Sequence, residues 1–134
     1  MSKKKIANKK LLKGKFYVVH DGSTSGHPGM VYWKKDKKNL YLVIITGTSY
    51  TKDLIRLIHP TDKNVKKSFI KKKPFLGKRR DFGSKEMKGM RFHKDDKKRI
   101  IREVSKKEPT YSNSIKRNDK RYFYKVRKKK TPKY

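Results

Sequence analysis

Four histidines, at 20, 27, 59 and 93, and the adjacent hydroxyls of Thr48 and Ser49 are the residues of this chain best suited to reaction chemistry. An imidazole ordinarily titrates at a pKa of about 6.5, so near neutrality it can both take and give a proton. A hydroxyl can donate to an oxygen that gains charge in a reaction. His27 stands apart by its context. It closes the turn-forming run Asp21-Gly22-Ser23-Thr24-Ser25-Gly26 and precedes Pro28-Gly29, which places it at the mouth of a loop. His20 ends an apolar run, His59 precedes Pro60, and His93 flanks a helical pattern, all ordinary structural places. Other chemistries are poorly supplied. Without cysteine there is no disulfide framework, thiol nucleophile or thiolate metal site. No G-x-x-x-x-G-K-[ST], G-x-G-x-x-G or H-E-x-x-H pattern occurs, and the histidines lack metal-ligand spacing. The carboxylates mostly sit beside Lys in turns or at a helix start, so no paired-carboxylate site is indicated, and neither a metal nor a cofactor is expected. The plain alternatives are that His27 is a loop residue and that Thr48 and Ser49 cap a strand end.

The elements that must hold these residues are short strands. Phe16 to His20, Met30 to Trp33 and Leu40 to Ile45 are rich in β-branched and aromatic residues, and Lys34 to Asn39 reads as the hairpin between the last two. The unbroken apolar run Leu40-Tyr41-Leu42-Val43-Ile44-Ile45 predicts a strand buried on both faces, the centre of the core. Leu54 to Ile58 and Lys67 to Lys71 follow as strands, the latter predicted at a sheet edge because lysines flank it. Phe75 to Arg91 mixes bases with three glycines and reads as a flexible basic loop. Ile100, Ile101 and Val104 mark an amphipathic helix over 94–107, with Phe92 as a staple and Asp95 and Asp96 in its first turn. Strands joined by tight turns without intervening helices predict a mainly β fold with one helix, built on a small antiparallel barrel. Trp33 belongs to its core or rim.

Charge then names the class of partner. Lys and Arg number 42 against 11 Asp and Glu in 134 residues, a formal net charge of +31. A nucleic-acid backbone neutralises such a surplus with a gain in entropy, because each paired phosphate releases condensed counterions. Nucleic acid, and RNA above all, is the expected partner. No apolar run of about 18 residues and no helix with a broad apolar face is present, so a membrane partner is not expected. The seven Lys among the first fifteen residues lead into no apolar signal segment, which makes the cytoplasm the expected location. The charge is unevenly placed. Residues 16–62 carry six bases and four acids, a net +2, which leaves +29 to the rest. This pattern divides the chain into a basic arm over 1–13, a folded domain over 14–107 and a basic tail over 108–134, expected to be flexible when free. Tyr122, Phe123, Tyr124 and Tyr134 lie among the tail's bases and can stack on unpaired bases or remain solvated.

Two stretches carry a resemblance. Gly26-His27-Pro28-Gly29-Met30-Val31 matches a loop that ends in a basic residue and Pro before an apolar strand. Leu42-Val43-Ile44-Ile45-Thr46-Gly47-Thr48-Ser49 matches a buried strand that runs into a Thr-Ser pair. In this order they resemble the MazF/PemK toxin family of endoribonucleases. Lys67-Ser68-Phe69-Ile70 and Lys88-Gly89-Met90-Arg91-Phe92-His93-Lys94-Asp95-Asp96-Lys97-Lys98 are similar to later patterns of PemK-like proteins, so the likeness spans roughly residues 14–107. The resemblance implies an SH3-like barrel that cuts single-stranded RNA without metal, the ribose 2′-hydroxyl attacking the neighbouring phosphate. His27, Thr48 and Ser49 would be its catalytic residues. Lys71, Lys72, Lys73, Lys78, Arg79, Arg80 and Arg91 are the expected RNA contacts. An acidic antitoxin and a second copy of the chain are the partners such proteins have. The family usually has Arg where this chain has His27, so two expectations stand: either His27 transfers the proton itself, or the protein binds RNA without cutting it, as a ribosome-associated or other RNA-binding protein would.

Overall fold

The computed structural model describes residues 10–22, 26–47, 54–57, 61 and 68–129, which form a mainly antiparallel sheet with two α-helices. The strands are β1 (Phe16–Val19), β2 (His27–Lys35), β3 (Leu40–Gly47), β4 (Leu54–Arg56), β5 (Phe69–Lys71), β6 (Phe75–Lys78) and β7 (Thr110–Tyr111). The helices are α1 (Lys94–Ser105) and α2 (Arg117–Lys129), with short 3₁₀ turns at Asp36–Lys38 and Arg79–Asp81.

β3 is the axis of the fold. Every residue from Leu40 to Thr46 is buried, as an unbroken apolar run requires. One edge of β3 pairs with β2. The other edge is shared: Leu40 to Val43 pair with β6, while Thr46 and Gly47 pair with β5. The β2–β3 connection is the expected hairpin, turned by the 3₁₀ segment and by Asn39 in the left-handed region at φ 53°. Val19, Val31, Val43 and Ile45 cluster with Phe75 and Phe82, whereas Phe16, Met30, Ile44 and Ile70 cluster with Ile100 and Val104 of α1. Gly29 lets β1, β2 and β3 close up, because a Cβ there would meet Val19 Cγ2 at 2.6 Å.

Four expectations need correction. His27, Pro28 and Gly29 are not loop but the start of β2, where Val19 pairs with His27 and Val18 with Pro28. Pro28 has no N–H to give the ladder, but its carbonyl accepts a hydrogen bond from Thr46 Oγ1 at 3.2 Å. β5 is not an edge strand, since it lies between β3 and β4, and β4 takes the edge. Residues 75–91 are not a flexible loop. Phe75, Leu76 and Phe82 are buried, and residues 81–87 run along the outer edge of β1. There His20 N donates to Asp81 O, Gly83 N to Val18 O, and Met87 N to Phe16 O, at 2.8, 2.8 and 2.7 Å.

The C-terminal segment expected to be flexible forms β7, parallel to β6, and then α2. Ile115 and Phe123 pack on Leu40, Leu42 and Leu76, and the Trp33 ring meets Phe123 edge-on at 5.3 Å between centroids. Arg117, Lys120, Arg121 and Lys125 of α2 face solvent while one aromatic ring anchors it. Phe123→Ala removes that anchor, and unfolding free energy is expected to fall by about 3–5 kcal/mol in chemical denaturation. An unchanged midpoint would mean that α2 adds nothing to the core. The Tyr124 hydroxyl instead reaches Glu108 and Tyr111 at the surface. Tyr134 lies outside the described residues.

Candidate functional site

At one end of the sheet a nearly buried carboxylate gathers two basic side chains. Asp21 follows β1, and its side chain is only 4% exposed. His27 Nδ1 lies 3.0 Å from Asp21 Oδ2, and Lys71 Nζ, at the end of β5, donates to the same oxygen at 3.1 Å. An ionised carboxylate only accepts, so this contact sets the imidazole with its proton on Nδ1. In that tautomer Nε2 carries the ring's lone pair. The loop that returns the chain from Asp21 to His27 depends on Gly26, which has φ +75° and whose added Cβ would strike Val18 Cγ1 at 2.8 Å. His27 and Lys71 keep side-chain exposures of 37% and 45%, so a dissolved substrate can reach both. A proton-transfer group, a fixed orienting carboxylate and a cation beside them suit reactions in which a phosphorus centre gains charge.

Thr48 and Ser49 lie outside the described residues. Gly29 pairs with Ile45, so β3 leaves the sheet on the side where His27 enters it.

The seven expected RNA contacts fall into three places. Lys71 belongs to the Asp21 cluster, and Lys72 and Lys73 continue from it as exposed residues before β6. Lys78, Arg79 and Arg80 come together elsewhere, in a cleft of about 440 Å³ beyond the far end of β6. Lys78 pairs with Leu40, five residues along β3 from Ile45, roughly 16 Å at the rise of a strand. Arg91 is exposed away from the β6 end, with its amide donating to Thr61 O at 2.9 Å.

The cleft has a built frame. Asp81 accepts from Lys78 N, from Ser112 Oγ and from Ser114 Oγ, at 2.7, 2.7 and 3.1 Å. Ser114 Oγ in turn accepts from Arg80 Nε at 3.0 Å. On the opposite wall Asp119 Oδ1 accepts from Lys78 Nζ at 3.0 Å and its Oδ2 from Lys116 N at 2.9 Å. Burial pushes the Asp119 carboxyl up, but the Lys116 amide and the Lys78 ammonium together outweigh it and hold the carboxyl below its ordinary value. A lowered folded-state value contributes stability that is complete above the unfolded-state pKa of about 3.9 and is lost as pH falls through the folded one. The docking of α2 is therefore expected to loosen in acid below about pH 4. Hydrogen exchange of the α2 amides checks this, and equal protection at pH 3 and pH 6, corrected for intrinsic rates, would refute it.

Asp21, Ser114, Lys116 and Asp119 were not among the residues expected from sequence. Asp21 reads as turn chemistry beside Gly22, and the other three lie in the segment expected to be unstructured. Among the described residues no cluster of three or more His, Asp or Glu is placed to hold a metal, and no helix is long and apolar enough to cross a membrane. No family model, curated protein or solved structure matches the chain.

Proposed function

We propose that the protein binds single-stranded RNA and cuts it by attack of a ribose 2′-hydroxyl on the adjacent phosphorus, in the manner of MazF/PemK-like toxins. The observation that carries this reading is the Asp21 cluster: a buried carboxylate orients His27 and holds Lys71, in a chain of net charge +31. In the reaction the 2′ oxygen forms its bond to phosphorus as the bond to the 5′ oxygen breaks. His27 Nε2 takes the proton from the 2′ oxygen, and solvent water supplies the proton that the departing 5′ oxygen gains. Lys71 stabilises the charge that builds on the non-bridging oxygens, with the Thr48 and Ser49 hydroxyls as further donors. His27 in the place where these toxins usually have Arg thus becomes a gain of proton chemistry. The sheet suits an SH3-like barrel in that residues 81–87 bond the outer edge of β1 and Val19 bridges to Phe82. An acidic antitoxin, a second copy of the chain and a cytoplasmic location complete this reading.

Labelled single-stranded RNA incubated with the protein in EDTA tests it. Fragments ending in 2′,3′-cyclic phosphate are expected, and intact RNA at every protein concentration would sink the nuclease reading. One observation favours a second reading, RNA binding without cleavage: three of the seven expected RNA contacts, Lys78, Arg79 and Arg80, gather in a cleft apart from His27.

A further inference from the structure

We infer that the cleft between the Lys78–Asp81 turn and the start of α2 is a dedicated seat for a phosphate of the bound RNA, partly closed by Asp119. The inference rests on the RNA-binding half of the proposed function and is independent of cleavage.

Four cations, Lys78, Arg79, Arg80 and Lys116, line the cleft with Asp119, and Asp81 stands behind the wall, so that four bases face two carboxylates, a net +2 in a single concavity. Such convergence needs a counter-charge, since like charges brought together repel. Three of the cations are also held in place, Arg79 by donation from Nη1 to Phe82 O at 3.2 Å. Asp81 fixes Ser114, and Ser114 fixes the Nε of Arg80, a lining residue of the cleft whose two Nη groups form the open end of the guanidinium fork. A planar fork of this kind matches two oxygens of a phosphate. The N-terminal end of α2, a helix of 13 residues, adds partial positive charge on the same wall.

Lys78 is held by an anion. Of its three ammonium protons, one goes to Lys38 O at 2.9 Å and one to Asp119 at 3.0 Å. Asp119 thus occupies the place of an anion: it neutralises the innermost lysine and repels an incoming phosphate. A phosphate that enters must compete with it. The cleft is therefore restrained by its own carboxylate, and loss of that charge should tighten binding. A purely structural ion pair would give the reverse.

The test uses the full chain and a fluorescently labelled 2′-O-methyl oligouridylate, which cannot be cut by 2′-hydroxyl attack, with binding read by anisotropy at fixed salt. Arg80→Gln with Lys116→Gln is expected to weaken binding by about tenfold or more. Lys97→Gln with Lys98→Gln, the same charge change on the exposed face of α1, is expected to cost no more than about threefold. Asp119→Asn keeps an oxygen to accept from Lys116 N but frees Lys78, and should tighten binding by about three- to tenfold. Circular dichroism confirms that each variant keeps its fold. Equal losses in the two double variants, or weaker binding by folded Asp119→Asn, would overturn the seat while leaving general RNA binding intact. Absence of binding by the wild-type chain at low salt would overturn both.

Discussion

Binding of single-stranded RNA is expected to weaken about 300- to 15,000-fold as salt rises from 50 to 200 mM. The range follows from counterion release, with a slope of about −0.7 per phosphate neutralised on a single strand and roughly 6 to 10 phosphates engaged. The cations are available in that number. Lys71 shares Asp21 with His27 and is followed by the exposed Lys72 and Lys73, Lys78, Arg79, Arg80 and Lys116 meet in the cleft, and Arg117, Lys120, Arg121 and Lys125 belong to α2. Few of these are consumed within the protein, where 42 bases face only 11 acids. Anisotropy titrations at several salt concentrations give the slope directly. A flat response would mean that phosphates are not the ligand and would remove the ground for every reading that follows from charge.

His27→Ala is expected to lower the single-turnover rate of RNA cleavage by about 10² to 10⁴, the usual worth of a positioned proton-transfer group. RNA affinity should change little, because the bulk of the positive charge lies elsewhere. This split separates chemistry from binding. Asp21→Asn should also slow cleavage, since an amide can present its N–H to Nδ1 and so reverse the proton arrangement of the ring. It should do so by a smaller factor than loss of the imidazole. If His27→Ala cuts RNA as fast as the wild-type chain, the Asp21 cluster is an anchoring feature of the β1–β2 loop and no more.

The central strand was readable because six consecutive apolar residues, Leu40 to Ile45, have no place except a buried one, and the structure buries all six. The helix at Lys94–Ser105 was readable from Ile100, Ile101 and Val104, with His93 accepting from Asp95 N as its cap. The strand at Phe75–Lys78 was hidden by composition. Phe75 and Leu76 are followed by Gly77, Lys78, Arg79 and Arg80, a local mixture that favours a loop until tertiary pairing with β3 overrides it. α2 was hidden for a related reason, because Ile115 and Phe123 are eight residues apart at the head of a segment that carries ten bases over 116–134, and they average out in any reading of local composition. Lys78 and Arg80 were visible as bases, but the cleft that unites them with Lys116 exists only once α2 is docked. His27 was visible as a candidate, yet its orienting partner was not. Asp21 lies six residues before His27 and fifty before Lys71, and only the return of β2 along β1 and the placement of β5 bring the three together.

The 2′-hydroxyl is the one substrate group that the proposed chemistry cannot do without, so the most direct measurement compares two oligonucleotides of the same sequence in EDTA, one RNA and one fully 2′-O-methylated. The expected result is that both bind with similar affinity and only the RNA is cut. RNA left intact, or a methylated strand cut at the same rate, would contradict it.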